Sequence, residues 1–163
     1  MKTRILSALA VGGCIWAAAA AAADAPKVLK CSATSSGMAH ELTLTTSAGQ
    51  VVAFTYSSVD PRTAQDCSVS ASNLRSGSKD GNDSAWTMQA DGSTLIDLYD
   101  DDWATDGKKR VATVTVRSTG RSYRLTAKES GDSSFCAPGA YLAPVVILTE
   151  GKKQCALEDS VSQ

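Results

Sequence analysis

The four cysteines beyond the N-terminal region carry the most distinctive chemistry in the 163-residue sequence: Cys31, Cys67, Cys136 and Cys155. An even number of cysteines is typical of disulfides in an oxidising compartment. Their wide spacing lacks the close Cys-x-x-Cys pairs of a zinc site. Four cysteines allow three pairings. We favour Cys31–Cys67 and Cys136–Cys155, because each bridge would join strands that are near in sequence.

Catalytic residues are harder to find. The only histidine is His40, between Met38 and Glu41 at the start of a predicted strand, and the chain has no G-x-S-x-G nucleophile motif. We interpret His40 as a surface or strand-end residue. The sequence therefore predicts no catalytic residue, no cofactor and no enzyme activity.

A cluster of aspartates is the densest charge in the chain: Asp97, Asp100, Asp101, Asp102 and Asp106. Ala104 stands where an EF-hand loop would have an oxygen ligand, so the spacing does not match that calcium motif. Calcium binding and glycosidase-like acid/base chemistry remain open as alternatives. We interpret the cluster as a solvated strand end and turn, and predict no metal site.

Four aromatic residues are candidates for a recognition patch, since aromatic side chains are favoured anchors at interfaces. In a small β domain they are more often part of the core. We expect Trp103 to be the one nearest the surface. The four are Trp86, Tyr99, Trp103 and Tyr141.

The first 23 residues predict a secretory signal peptide. Lys2 and Arg4 precede an apolar stretch that begins at Ile5 and continues into an alanine run ending at Ala23, where we place cleavage. A rival interpretation is a lipoprotein signal with lipid on Cys14. Because no second apolar run of transmembrane length follows, the predicted location is periplasmic or secreted.

The remaining chain is predicted to be one β domain over 24–157 with a flexible tail over 158–163. Cleavage would remove two of the 16 basic residues, Lys2 and Arg4, and none of the 17 acidic ones, which leaves a net charge of about −3. This balance argues against nucleic-acid binding, which needs a basic face. It suits a basic protein partner.

Short alternating segments separated by turn residues predict an all-β fold. About eight strands in one domain imply a small antiparallel barrel or a two-layer sandwich, and we favour the barrel slightly. The predicted segments are two hairpins, over 42–56 and 111–127, and strands over 28–33, 67–74, 85–89, 94–99, 145–149 and 154–157.

The second hairpin has a self-consistent pattern. If Arg117 pairs with Ser122, then Val116 lies opposite Tyr123, and the apolar residues of both strands share one face.

The turn of this hairpin, Thr119-Gly120-Arg121-Ser122-Tyr123, resembles the Ser-Gly-x-x-Tyr loop of the bacterial periplasmic and membrane-bound lysozyme inhibitors. Thr119 replaces the serine of the family motif, and the tryptophan that tends to follow in the C-type group is missing. The signal peptide, the β-rich domain and the cysteines near both ends are similar to that family.

The resemblance implies that this loop enters the cleft of a lysozyme and bonds its catalytic carboxylates. Thr119 and Tyr123 would donate from their hydroxyls, Gly120 would allow the tight turn, and Arg121 would add a charge-assisted contact. Lysozymes are commonly basic, so an acidic domain would attract them over distance. The alternative is an envelope β module, without catalysis, that binds a small apolar ligand or another envelope protein.

Overall fold

The structure, a computed structural model, describes residues 25–74, 83–102, 107–130 and 136–158. These ranges form ten β-strands and contain no helix, which confirms the all-β prediction. No helix in them has the length and apolar character needed to cross a lipid bilayer. The predicted signal peptide over 1–23, with Cys14, and the residues Trp103 and Asp106 lie outside the described part of the chain.

The strands follow the predicted segments closely, although the described ranges contain ten strands rather than about eight. The predicted strand over 145–149 matches β9, while Glu158, which the sequence assigned to the tail, ends β10. The ten strands are β1 (Lys27–Ser35), β2 (Met38–Ser47), β3 (Gln50–Val59), β4 (Asp66–Ser72), β5 (Asp83–Met88), β6 (Thr94–Asp102), β7 (Gly107–Thr119), β8 (Ser122–Glu129), β9 (Val145–Thr149) and β10 (Ala156–Glu158).

Two antiparallel sheets pack face to face around one core. One sheet has the order β1-β2-β3-β4 and the other the order β10-β9-β8-β7-β6-β5. Near β1, Ser32 forms an isolated parallel bridge with Gln154, but no continuous ladder joins the sheets in the described ranges. The favoured barrel is therefore wrong, and the architecture is the sandwich alternative.

Period-two alternation decides which side chains face the core. In β2, Leu42 and Leu44 are buried while Thr43 and Thr45 lie on the outer face, as alternating sides of a pleated strand require. The buried residues of both sheets form a single contiguous cluster. This cluster holds the two layers together by removing apolar surface from water.

The hairpin between β7 and β8 has a tighter turn than predicted. Thr119 pairs with Ser122, so Val116 lies opposite Leu125 rather than Tyr123. The two-residue slip keeps every side chain on its predicted face, and the shared apolar face is confirmed. The reason for the slip is that Gly120 and Arg121 alone form the turn, with Gly120 at φ +64°.

The predicted disulfide pairing is wrong. Cys31 bonds Cys155 and Cys67 bonds Cys136, with Cα–Cα distances of 5.2 Å and 4.2 Å. Because β1 and β4 are opposite edges of the four-stranded sheet, Cys31 and Cys67 are three strand spacings apart, about 14 Å, beyond the reach of a disulfide. Nearness in sequence was the wrong criterion for these strands.

Each bridge joins one edge of the four-stranded sheet to the C-terminal part of the chain. Cys136 lies between β8 and β9, and Cys155 lies directly before β10. Backbone hydrogen bonds reinforce each junction: the amide of Cys155 donates to the carbonyl of Ser32 at 3.0 Å, and the amide of Ala137 to that of Asp66 at 3.0 Å. The disulfides thus fasten both edges of this sheet. They indicate an oxidising, extracytoplasmic environment.

Candidate functional site

The turn between β7 and β8 presents two side chains to solvent. Thr119, Gly120 and Arg121 are exposed, whereas Ser122 is half-buried and Tyr123 is buried. Positive φ at Gly120 alone, the first central position, is the type II′ pattern, whose twist matches that of the flanking strands. Of the five residues predicted to bind a partner, Thr119 and Arg121 are therefore the ones whose side chains a partner would meet first.

Tyr123 faces the core, with a side chain only 5% exposed. Its hydroxyl lies at the rim of the core and donates to Oε1 of Glu150 at 3.5 Å. The hydroxyl already has a partner within the chain. Tyr123 therefore packs in the core beneath the turn and contacts Glu150.

A second turn, which follows β9, holds the first in place. The amide of Glu150 donates to the carbonyl of Arg121 at 2.9 Å. The hydroxyls of Ser122 and Thr149 lie 3.0 Å apart, and these two residues are paired between β8 and β9. Arg121 is therefore presented from a backbone that is fixed on both sides of the turn.

Glu150 is the charged residue between the two turns. Its Oε2 accepts a hydrogen bond from Nζ of Lys27 at 2.8 Å. Lys27 holds the pKa of this carboxyl below its usual range, and Arg121 and the Tyr123 hydroxyl act in the same direction against partial burial. Glu150 therefore stays ionised at neutral pH.

His40 lies near the start of β2, as one of the two predicted alternatives has it, but it is not a surface residue, and that alternative is wrong. Its side chain is fully buried on the inner face of β2, and its Nδ1 lies 3.0 Å from the hydroxyl of Tyr56. The Tyr56 oxygen also accepts a hydrogen bond from the amide of Ala143 at 2.9 Å. The Tyr56 hydroxyl therefore joins the buried imidazole of His40 to the backbone of Ala143.

The same cluster ties the segment before β9 to the four-stranded sheet. The hydroxyl of Ser58 donates to the carbonyl of Tyr141 at 2.5 Å, and the Tyr141 ring packs edge-on against His40 at 5.8 Å. The position of His40 was visible in the sequence, since it alternates in phase with Leu42. His40 and Tyr56 thus form a buried network that links β2 and β3 to the segment before β9, which contains Tyr141 and Ala143.

The candidate aromatic patch is not assembled in the described ranges. Trp86 is half-buried against the core and its indole N–H donates to the hydroxyl of Ser84 at 2.9 Å. Tyr141 lies against His40 instead. The described ring contacts join neither residue to the other or to Tyr99.

The acidic cluster lies at the far end of β6, away from the β7–β8 turn. Asp97 accepts hydrogen bonds from Thr113 at 2.9 Å and Arg110 at 3.4 Å. The strand register places Asp100 opposite Lys109. No group of three or more potential metal ligands is found among the residues that the structure describes.

Two depressions lie along the four-stranded sheet. One, of about 330 Å³, is lined mainly by threonine and serine of β2, β3 and β4. The other, of about 610 Å³, lies beside Ser32, Glu41 and Gln154. Both are open to solvent and have polar residues in their lining, unlike the enclosed apolar sites that bind small apolar ligands.

Comparison of the chain with protein-family models, with curated proteins and with solved structures finds no match.

Proposed function

We propose that this protein is an exported protein-binding domain that presents the β7–β8 turn to a partner, and that the partner is a lysozyme. The observation that carries the proposal is Arg121, exposed on a two-residue turn whose backbone is held by Glu150. A side chain presented from fixed backbone loses less conformational freedom on binding, which favours affinity.

The chemistry of the exposed residues suits a cleft that contains carboxylates. The guanidinium of Arg121 forms paired, charge-assisted hydrogen bonds with a carboxylate, and the hydroxyl of Thr119 donates a further bond. Glycan-cleaving enzymes commonly carry two carboxyl groups in their cleft. In this proposal Tyr123 supports the turn from below, and Arg121 makes the principal contact.

Charge supports the same interpretation at longer range. With the predicted signal peptide removed, the domain carries a net charge of about −3, which attracts a basic lysozyme before contact. The alternative of a small apolar ligand gains no support from the two polar depressions of the four-stranded sheet. We therefore propose a binder without catalysis, located in the periplasm or secreted.

A turnover assay tests this proposal. The exported protein, with both disulfides formed, is added at micromolar concentration to lysozymes of several classes acting on bacterial cell walls. We expect one class to be inhibited, Arg121→Gln to weaken inhibition at least tenfold, and Lys128→Gln, which removes an exposed cation elsewhere, to leave it unchanged. If every class keeps its full rate, the lysozyme proposal is lost.

A further inference from the structure

Three exposed cations lie on two neighbouring turns at the end of the sandwich that carries the β7–β8 turn. We call Arg121, Lys152 and Lys153 the cationic end. Nη2 of Arg121 lies 4.0 Å from the position that a Cβ would take on Gly151, so the guanidinium contacts the turn directly before Lys152. The turn that carries the two lysines thus lies next to the turn that carries Arg121.

The backbone of the second turn is fixed at both of its ends. The amide of Lys152 donates to the carbonyl of Thr149 at 3.0 Å, which closes the turn. The carbonyl of Lys153 accepts from the amide of Ser32 at 2.9 Å, and Cys155 follows with its disulfide to Cys31. The backbone of the two lysines is therefore fixed beside the β7–β8 turn.

The carboxylates near this end already have cationic partners. Their charge is thus compensated locally. Arg121 lies close enough to Glu150 to lower the pKa of that carboxyl, but among the described residues none of these carboxylates forms a salt bridge with the cationic end. The three pairs are Lys27 with Glu150 at 2.8 Å, Arg117 with Asp91 at 3.9 Å, and Arg124 with Glu158 at 2.6 Å.

The acidic cluster is too far away to cancel these charges. Asp97, the member of the cluster nearest to the turn along β6, lies opposite Thr113, six residues before Thr119. At the rise of an extended strand this is about 20 Å. Since charges in physiological salt are screened beyond about 8 Å, the cationic end acts as a local positive surface on an acidic domain.

From this arrangement we infer that the cationic end is a docking surface for an acidic patch on a partner protein, and that the contact extends beyond the predicted turn to Lys152 and Lys153. The inference rests on the proposed function, because both use Arg121. It deepens that function by stating the partner's chemistry: carboxylates at the contact itself, whatever the partner's net charge. Arg121 supplies a planar fork for one carboxylate, and the two lysines supply point charges for its neighbours.

Binding to poly-L-glutamate tests the surface without requiring a known partner. The exported protein with intact disulfides is compared with the triple variant Arg121→Gln/Lys152→Gln/Lys153→Gln. The control Lys30→Gln/Lys109→Gln/Lys128→Gln removes three exposed cations from other faces and changes the net charge equally. We expect the first variant to bind at least tenfold more weakly than wild type and to lose most of the salt dependence, while the control binds within twofold of wild type.

Two results would overturn the inference: equal weakening in both variants, because net charge alone would then explain binding, or no weakening in either. Tenfold tighter binding to inorganic polyphosphate than to poly-L-glutamate, at equal charge concentration, would also overturn it in favour of a phosphate ligand. The same variants in the lysozyme assay separate this inference from the proposed function. If the Lys152→Gln/Lys153→Gln variant still inhibits lysozyme, the turn is the lysozyme-binding site and the two lysines are not part of it. If the protein binds poly-L-glutamate but inhibits no lysozyme, the docking surface is supported and lysozyme is not its partner.

Discussion

The two sheets of this sandwich are held together in different ways. The four-stranded sheet has both edges fastened by disulfides and a buried polar network, His40 with Tyr56, behind its centre. The six-stranded sheet carries the β7–β8 turn, whose supports are backbone hydrogen bonds and exposed ion pairs. The comparison shows that covalent cross-links act at the edges of the four-stranded sheet, whereas the conformation of the β7–β8 turn depends on noncovalent contacts alone.

The largest expected effect is the loss of a disulfide from the four-stranded sheet. The bridges close loops of 124 and 69 residues, and the chain-entropy account assigns about 4–5 kcal/mol to each. We expect Cys31→Ser/Cys155→Ser and Cys67→Ser/Cys136→Ser each to lower the free energy of unfolding by an amount of this order, measured by urea unfolding. An unfolding midpoint that does not move in either variant would show that the bridges contribute nothing to stability.

The second-largest expected effect is a loss of free energy of unfolding at alkaline pH, through Tyr56 of the four-stranded sheet. Burial raises the pKa of Tyr56 to about 12 from 10.0, against the hydrogen bond from Ala143, so the unfolded chain loses this proton before the folded chain does. The contribution of Tyr56 to the free energy of unfolding is fully present below pH 10. It decreases by about 3 kcal/mol as the pH rises to 12, since each pKa unit corresponds to about 1.4 kcal/mol. The free energy of unfolding, measured by urea unfolding from pH 8 to 12, checks this prediction. If wild type and Tyr56→Phe, which lacks the group, lose stability in parallel, the interpretation is wrong.

The Tyr56 hydroxyl should also matter at neutral pH. Tyr56→Phe keeps the ring but leaves the buried amide of Ala143 without its acceptor, at a cost of about 2 kcal/mol. Tyr123→Phe is the matched change in the other sheet, where the hydroxyl contact to Glu150 is longer and Lys27 still bonds that carboxylate. Thermal unfolding of the two variants sharpens the comparison, and a larger loss in Tyr123→Phe would reverse it.

The smallest expected effect lies at the turn itself. Gly120→Val forces a β-branched residue to φ +64°, which costs about 1–2 kcal/mol and displaces Arg121. We therefore expect a modest decrease in the melting temperature together with a clear loss of binding to poly-L-glutamate. Ser118→Val, which introduces the same residue at an exposed strand position without positive φ, is the control; equal losses in both variants would argue against a role for the turn conformation.

The particular residues show where prediction from sequence succeeded. Alternation in β2 and β7 identified the buried faces, including the shared face of Val116 and Leu125, because side-chain direction in a strand depends only on local period. The two-residue slip at Gly120 changed the partners but not the faces. At the candidate site, the sequence named Arg121 but could not show that Glu150 would hold its backbone.

His40 shows a different limit. Its phase with Leu42 predicts the inner face, but the polar character of histidine favoured a surface position. Its Nδ1 is hydrogen-bonded to the Tyr56 hydroxyl, which in turn accepts from the amide of Ala143. Burial of a polar side chain depends on whether hydrogen-bond partners are present. Those partners come from other segments of the chain.

By itself, the sequence determined that this chain forms paired strands with tight turns and that its cysteines are spaced for disulfides, since period and turn residues act over a few positions. The tertiary structure was needed to show that Cys31 bonds Cys155, that the layers form a sandwich, and that Arg121 lies against Gly151. The physical reason is that strand order sets which distant residues become neighbours. Strand order follows from the packing of the whole core, which no short stretch of residues contains.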